Sequence, residues 1–245
     1  SIGLVGSEMC IRDRISSFDP KYSGFIGVGP GANPKKSLPS PNVWTFTEDK
    51  SGDYLFVGTD IGMSRLDRRT GIFEHFNRLN KNEASYKVLS SCAIDSNTVL
   101  AGFEDGLFKL EIYGDQSFDY TRLNYVNPII LSKYNRLYGI ECLDEDNYLL
   151  ATKAAAFLYN IKTGNSVRFE HNINRPQESL SPGSCRVIYK DRKGRVWFAT
   201  TAGGINILTK NESGNYMIHP HPINKEIIKV TQDYACLLYT SPSPR

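Results

Sequence analysis

The sequence predicts an all-β fold made of four copies of one unit, and three observations carry that reading. The first is a repeat. Glu48-Asp49-Lys50-Ser51-Gly52-Asp53-Tyr54-Leu55-Phe56-Val57-Gly58-Thr59, followed by Gly62 to Asp67, returns as Lys190-Asp191-Arg192-Lys193-Gly194-Arg195-Val196-Trp197-Phe198-Ala199-Thr200, followed by Gly203 to Leu208. Two worn copies lie between: Asp95 leads into Thr98-Val99-Leu100-Ala101-Gly102 and residues 106–110, and Asp144 leads into Tyr148-Leu149-Leu150-Ala151-Thr152 and residues 156–159. The small residues that close these apolar runs, Gly58, Gly102, Ala151 and Ala199, lie about 44 to 49 residues apart, a period of solenoids, arrays and propeller blades. The second observation is the content of each unit: four short runs of Val, Ile, Leu, Phe and Tyr separated by Asp, Asn, Ser and Gly turns, the pattern of a four-stranded antiparallel sheet. The third is that no stretch of about 12 residues sustains a helical apolar period. A sheet of this kind cannot cover both faces by itself and must stack on neighbours around an axis. The expected architecture is therefore a partial β-propeller, about four four-stranded antiparallel blades in an open arc.

Taken in order, residues 15–32 are expected to be the outer strands of a preceding blade. The four blades follow at about 38–80, 81–125, 126–172 and 173–220, together with their linkers from residue 33, and 221–235 begin a next one. In the first blade the strands are expected at 43–47, 54–58, 62–66 and 72–76. Asp49-Lys50-Ser51-Gly52 makes the first hairpin turn, with Asp able to bond its own backbone and Gly to take the positive φ. Asp67 to Gly71 and Lys162-Thr163-Gly164 repeat that chemistry before the outermost strand. The second unit lacks the turn glycine after Asp95, and in the third Lys153-Ala154-Ala155-Ala156 replaces a glycine-rich turn.

The two ends read differently. Cys236 to Arg245 can be encoded by TGT CTC TTA TAC ACA TCT CCG AGC CCA CGA, and the reverse complement of that DNA, in another frame, encodes Val5 to Asp13. One DNA element in opposite orientations accounts for both. It resembles an adapter of transposon-based sequencing libraries, so 1–14 and 236–245 are set outside the fold reading. The rest is expected to be an open fragment of a longer gene, and one that self-associates, because its first and last blades lack partners.

The chain has 29 basic and 26 acidic residues and a formal charge of +3. Setting aside Arg12, Arg14, Arg245, Glu8 and Asp13 lowers that charge by one, which leaves no basic footprint for nucleic acid. Cys92, Cys142 and Cys185 are scattered, giving neither a disulfide framework nor a metal spacing; Cys92 and Cys142, each just before the first turn of a blade, are expected to be small core residues, with a Cys92–Cys142 disulfide the alternative in an oxidising compartment. There is no transmembrane run and no signal peptide. His219-Pro220-His221 places two imidazoles on one strand face, but without a third ligand they are expected to be solvated. Phe73-Glu74-His75 and Phe169-Glu170-His171 look like matching features of an outer strand. Gly27, Gly29 and Gly31 lack the helix and Lys-Ser/Thr pair of a phosphate loop, and Asn211-Glu212-Ser213 fits a glycosylation sequon only by pattern. No cofactor and no metal are expected.

Aromatics are plentiful, 14 Tyr and 12 Phe beside Trp44 and Trp197. Flat rings with a polar edge suit sugars. Trp197 stands at a repeated second-strand position and is expected in the core. Trp44 and Arg186 stand where the chain enters an innermost strand, near the axial mouth, and Tyr86, Tyr134 and Arg136 occupy comparable entry loops. These five are the candidate ligand contacts.

The repeated Asp-x-x-Gly-x-hydrophobic-Trp/Phe-hydrophobic-Gly/Ala-Thr, the following Gly-Ile/Leu-x-x-hydrophobic and the later Thr-Gly-x-Phe resemble the two-component regulator propeller repeat. The linkers Asn33 to Pro39 and Asn174 to Ser181 resemble it too. The resemblance runs over about residues 33 to 210, strongest in the first and fourth units. It implies a ligand-sensing region of a periplasmic, hybrid histidine-kinase receptor that recognises a polar small molecule such as an oligosaccharide. On that reading a kinase and a membrane span lie outside these residues, membrane contact comes only through those missing regions, neighbouring blades of the full chain are partners, and the parent protein is a homodimer. Two other classes compete. A propeller lyase or hydrolase would need an acid/base pair or metal cluster at one mouth, which the entry loops do not show. A WD-type interaction scaffold would carry Gly-His and Trp-Asp signatures, which are missing.

Overall fold

The computed structural model describes residues 15–19, 24–77, 86–114, 117–127 and 131–224. The expected adapter-like ends and most of 221–235 lie outside those residues. The fold is all-β, with four four-stranded antiparallel sheets. A two-stranded antiparallel sheet, β1 (Ile15–Asp19) and β2 (Gly24–Val28), precedes them. Blade 1 is β3 (Val43–Glu48), β4 (Tyr54–Thr59), β5 (Gly62–Asp67) and β6 (Ile72–Phe76). Blade 2 is β7 (Val88–Ala93), β8 (Thr98–Phe103), β9 (Gly106–Gly114) and β10 (Ser117–Leu123). Blade 3 follows a one-turn helix at Leu131–Tyr134 and comprises β11 (Leu137–Cys142), β12 (Asn147–Thr152), β13 (Ala156–Asn160) and β14 (Ser166–Phe169). Blade 4 is β15 (Cys185–Lys190), β16 (Val196–Thr200), β17 (Gly204–Lys210) and β18 (Tyr216–Pro220). The chain forms two compact units that divide after Arg122, one holding blades 1 and 2, the other blades 3 and 4.

The repeated aspartate of each unit is a hairpin cap. The Asp49 carboxylate accepts the Tyr54 amide at 3.0 Å and the Ser51 hydroxyl at 2.5 Å, and its carbonyl accepts the Gly52 amide. Asp191 does the same for the amides of Lys193 and Arg195 at 2.9 and 3.0 Å. Gly52 and Gly194 complete those two turns at φ of 77° and 76°, where a side chain would be strained. In the worn copies the carboxylate works without that glycine: Asp95 accepts the Asn97 amide, and Asp144 those of Asp146 and Asn147. The second hairpin depends on a hydroxyl. Thr59 donates to the Gly62 carbonyl at 3.0 Å, and Thr152 donates to the Ala155 carbonyl at 2.8 Å while accepting the Ala154 and Ala155 amides. Thr152 thus closes the turn that its unit lacks glycine to make.

Each unit has its own core. In the first, Phe56, Met63 and Phe76 of blade 1 pack with Val88, Val99, Phe103, Phe108 and Leu110 of blade 2. Polar links tie the same blades: Thr45 to Ser91 at 3.1 Å, Ser96 to Asp49 at 2.7 Å, and Arg65, whose guanidinium donates to Glu74 and, across the blades, to the Ser96 carbonyl and Asn97. In the second unit Leu149, Ala151 and Ala156 pack with Leu180, Cys185, Val196 and Phe198, and Lys190 donates to the carbonyls of Cys142 and Leu143.

Several expectations need correction. Cys92 and Cys185 are buried, but Cys142 is half-buried, with its Sγ–H on the Asp144 carbonyl. Trp197 is half-buried rather than core: its indole N–H must find an acceptor, and it reaches Asp191 at 3.2 Å while the ring packs on His221. The two Phe-Glu-His triplets do not match by register. In blade 1 Phe76 pairs with Met63, and the equivalent pair in blade 3 is Phe169 with Ala156, so His75 corresponds to Arg168. Each histidine instead holds a linker carbonyl, His75 that of Pro34 at 2.7 Å and His171 that of Leu180 at 3.0 Å.

Candidate functional site

Every blade begins with the same irregularity. Its first strand pairs regularly with the second except for one skipped residue: Trp44, Leu89, Tyr138 or Arg186. A bulge leaves the extra residue outside the ladder and re-aims its side chain. The residue before each bulge pairs with the last residue of the second strand, namely Thr59, Phe103, Thr152 and Thr200. The next residue along, at the tip of the second hairpin, is thereby brought beside the bulge. Counting also the residue ahead of the first strand, each blade presents a triplet: Asn42, Trp44 and Asp60; Lys87, Leu89 and Glu104; Arg136, Tyr138 and Lys153; Ser184, Arg186 and Thr201. The strands repeat their residue types from blade to blade, and these triplets do not.

In the first unit the triplet chemistry is internally balanced. Asp60 accepts the Trp44 indole N–H at 2.6 Å and the Asn42 side-chain amide. Lys87 of blade 2 lies 3.8 Å from the same carboxylate and 4.4 Å from the centre of the Trp44 ring, close enough for a cation–π contact. The Trp44 ring therefore has one face under an ammonium and its polar edge on a carboxylate. In the second unit Arg186 lies over the Tyr138 ring, its guanidinium carbon 3.9 Å from the ring centre. Arg186 is exposed and Tyr138 half-buried.

Of the five predicted residues, Trp44 and Arg186 are bulge residues, Arg136 is the exposed entry residue of blade 3, and Tyr86 is half-buried just ahead of Lys87. Tyr134 is elsewhere. It is 1% exposed, packed edge-on against Phe157; its carbonyl accepts the Tyr125 hydroxyl at 2.6 Å, and its own hydroxyl donates to Glu170 beyond the outer strand. Burial raises the cost of charge on Glu170, but the bonds from Tyr134 and Lys133 prevail and hold its carboxyl below the usual range. Tyr134 is thus a packing residue whose phenol has a half-buried acceptor. Sequence reasoning missed Tyr138, Lys87, Asp60 and Lys153. A usable signal exists, since the bulge residue stands about five or six positions before each repeated aspartate, but the residue types at that position share nothing.

A cleft of about 550 Å³ opens on the outer part of blade 1, lined by Lys35, Tyr54, Arg65 and His75 among others. Two of its polar side chains are already engaged: Arg65 with Glu74, Ser96 and Asn97, and both His75 nitrogens with Ser64 and Pro34. Among the described residues no cluster of three His, Cys, Asp or Glu could hold a metal ion. The Cys185 thiol, fully enclosed, is pushed up to about 12 by burial and is no nucleophile.

Comparison with known proteins agrees with this geometry. Residues 179–202, which run from the linker through β15, the Asp191 hairpin and β16, match the family model of the two component regulator propeller, so the chain carries that repeat. No curated protein matches the chain. Among solved structures it is similar to the extracellular domain of a B. thetaiotaomicron protein assigned to a hybrid two component system. The identity is 21% and the TM-score 0.56, over 80% of this chain and 31% of that one. A second extracellular domain from B. thetaiotaomicron, assigned to a one component system, gives 16% identity and a TM-score of 0.62, over 84% of this chain and 29% of that one. Virginiamycin B lyase from Staphylococcus aureus gives 15% and 0.55, over 86% and 64%. The chain thus spans less than a third of the length of the first two. At these identities the likeness shows the propeller fold, and the family match is to a regulator rather than to an enzyme. No helix among the described residues is long and apolar enough to cross a membrane.

Proposed function

We propose that this chain is a ligand-sensing propeller region of a two-component receptor, working in the periplasm and binding an oligosaccharide or similar polar molecule without altering it. The observation that carries the reading is the contrast within the repeat: matching strands and turns hold the blades, while the triplets at the bulges differ from blade to blade. That is how a scaffold presents reading positions, with the variable side chains on rigid strand starts rather than on long loops. The two aromatic–cation pairs, Trp44 with Lys87 and Tyr138 with Arg186, offer ring faces and donors of the kind a sugar takes. The lyase-like neighbour favours an enzyme only by fold, and fold does not carry activity. The whole receptor would act as a homodimer, with further blades, a membrane span and a kinase beyond this region.

Calorimetric titration of the intact receptor ectodomain against a panel of oligosaccharides tests the reading. Trp44→Ala and Arg186→Ala are each expected to weaken binding roughly tenfold, or about 1.4 kcal/mol, without changing the melting temperature of the protein by more than a few degrees. Unchanged affinity in both variants removes the bulges from the site. Turnover of the bound sugar by the wild type would move the protein to the enzyme class.

A further inference from the structure

The two units differ beside the bulge aromatic. Over Trp44 lies Lys87, the entry residue of blade 2, and over Tyr138 lies Arg186, the bulge residue of blade 4. The hairpin-tip residue of the aromatic's own blade is an acid in the first unit and a base in the second. In blade 1 the hairpin-tip residue beside the bulge is Asp60, and it binds Trp44, Asn42 and Lys87, so the cation over the aromatic ring has a counter-ion. In blade 3 the structurally equivalent residue, directly after Thr152, is Lys153. No carboxylate takes the place of Asp60. Arg186 has no hydrogen bond or ion pair among the described residues beyond its stacking on Tyr138, and Lys153 is exposed and likewise without an ionic partner there. The acid of the same strand, Glu141, does not serve: it is half-buried, its carboxyl is pushed up by burial, and the cation that acts on it is Lys190.

We infer that Tyr138, Arg186 and Lys153 form an anion-reading subsite for an acidic sugar, with a carboxylate taken by the Arg186 fork and the Lys153 ammonium. The guanidinium carbon rests 3.9 Å from the Tyr138 ring centre on an exposed side chain, and its planar fork of N–H donors suits bidentate capture of a carboxylate. Neither Arg186 nor Lys153 has a counter-ion among the described residues, and an incoming anion supplies one. A neutral sugar does not. This rests on the proposed function and sharpens it from polar oligosaccharides to uronate-containing ones.

The test uses the intact ectodomain and three tetrasaccharide probes: one containing glucuronate, its carboxyl-reduced neutral counterpart, and a sulfated analogue, with free glucuronate and sulfate ions as controls. The inference expects the glucuronate probe to bind at least tenfold more tightly than its reduced form. It also expects that preference to shrink as salt is raised, and to be lost in Arg186→Gln and in Lys153→Asp while Lys50→Gln, at an exposed hairpin position away from the bulges, retains it. Equal binding of the acidic and reduced probes overturns the anion subsite and leaves the carbohydrate reading standing. A preference for sulfated over carboxylated sugar, or for the free ions over either oligosaccharide, overturns the carboxylate assignment. Failure of every oligosaccharide to bind overturns both.

Discussion

Replacing Gly58 by alanine should destabilise the first unit by an amount that can be worked out from its neighbours. Gly58 closes β4, opposite Thr45 and against blade 2. A methyl built there would lie 2.6 Å from Thr45 Cγ2, 2.8 Å from Val88 Cγ1 and 2.9 Å from Val88 Cβ, all below normal contact. Both neighbours are β-branched and stiff at χ1, and Val88 is wholly buried, so neither can swing clear without opening the core between the blades. Overpacking of this kind costs about 1–3 kcal/mol, and the entropy lost from the unfolded chain returns about 0.4–1 kcal/mol of it. The expected net loss is about 1–2 kcal/mol, read as a lower urea midpoint at unchanged slope. Gly139→Ala is the control. Its methyl would meet Ala151 Cβ at 3.4 Å and Ile188 at 3.5 and 3.6 Å, contacts near the ordinary range, so that variant should be neutral or slightly stabilised. Val88→Ala should cost stability alone yet relieve the Cγ1 part of the Gly58→Ala clash, while Thr45 Cγ2 and the Cβ at position 88 stay in place, giving a favourable coupling of up to about 1 kcal/mol. A Gly58→Ala protein as stable as the wild type, or costs that simply add in the double variant, would refute the argument that blade spacing is set by this glycine.

Acid should unfold the protein through its hairpin caps. Burial opposes charge on Asp49, but hydrogen bonds from Ser51, Ser96 and the Tyr54 amide outweigh it and hold the carboxyl at about 2; Asp191, against a similar burial cost, is held at about 2 by Arg195 and Trp197. Both are depressed from 3.8, so their stabilisation is complete above that value and is lost as the pH falls from near 4 toward 2. The urea midpoint should drop across that window, and the drop should be smaller in Asp49→Asn; an identical pH slope in the variant would count against the assignment. Thr152→Val keeps shape but removes the hydroxyl that closes the blade 3 hairpin, leaving the Ala154 and Ala155 amides without their acceptor while the Ala155 carbonyl keeps the Thr152 amide, and should cost about 1–3 kcal/mol by the same measurement.

How much of this was legible in the sequence depends on whether a residue acts through its type or through its register. The hairpin aspartates were legible, because an Asx cap needs a short carboxylate at a fixed distance before the next strand. The first-blade strands, expected at 43–47, 54–58, 62–66 and 72–76, end no more than one residue away in the structure. The Phe-Glu-His match failed because an identical triplet in two outer strands says nothing about pairing. Only the partners of Phe76 and Phe169 reveal the offset. Tyr134 was placed among entry-loop residues by its position alone, whereas a ring of that size with a reachable acceptor, Glu170, is stabilised far more by burial. The bulges left no trace in residue type, since Trp, Leu, Tyr and Arg have nothing in common.

That last point bears on how the molecule reads its surroundings. A bulge is tolerated by any side chain because its residue leaves the ladder, so the backbone asks nothing of it beyond an exit from the sheet. The capping aspartate of each blade and the closing threonine of blades 1, 3 and 4, by contrast, are held by hairpin bonds. Selection for stability therefore acts on the hairpins and leaves the triplets beside the bulges free to vary. Asp60 and Lys153 occupy the same place in two blades with opposite charge, yet Thr59 and Thr152 before them make the same hydroxyl-to-carbonyl bond. Exchanging the two, Asp60→Lys together with Lys153→Asp, should leave both hairpins intact and cost no more than about 1–3 kcal/mol, for the bonds that Trp44, Asn42 and Lys87 lose with Asp60. It should also move the uncompensated positive charge from the Tyr138–Arg186 corner to the Trp44–Lys87 corner. A double exchange that unfolds the protein would show that these positions serve the fold, and that the freedom argued for them does not exist.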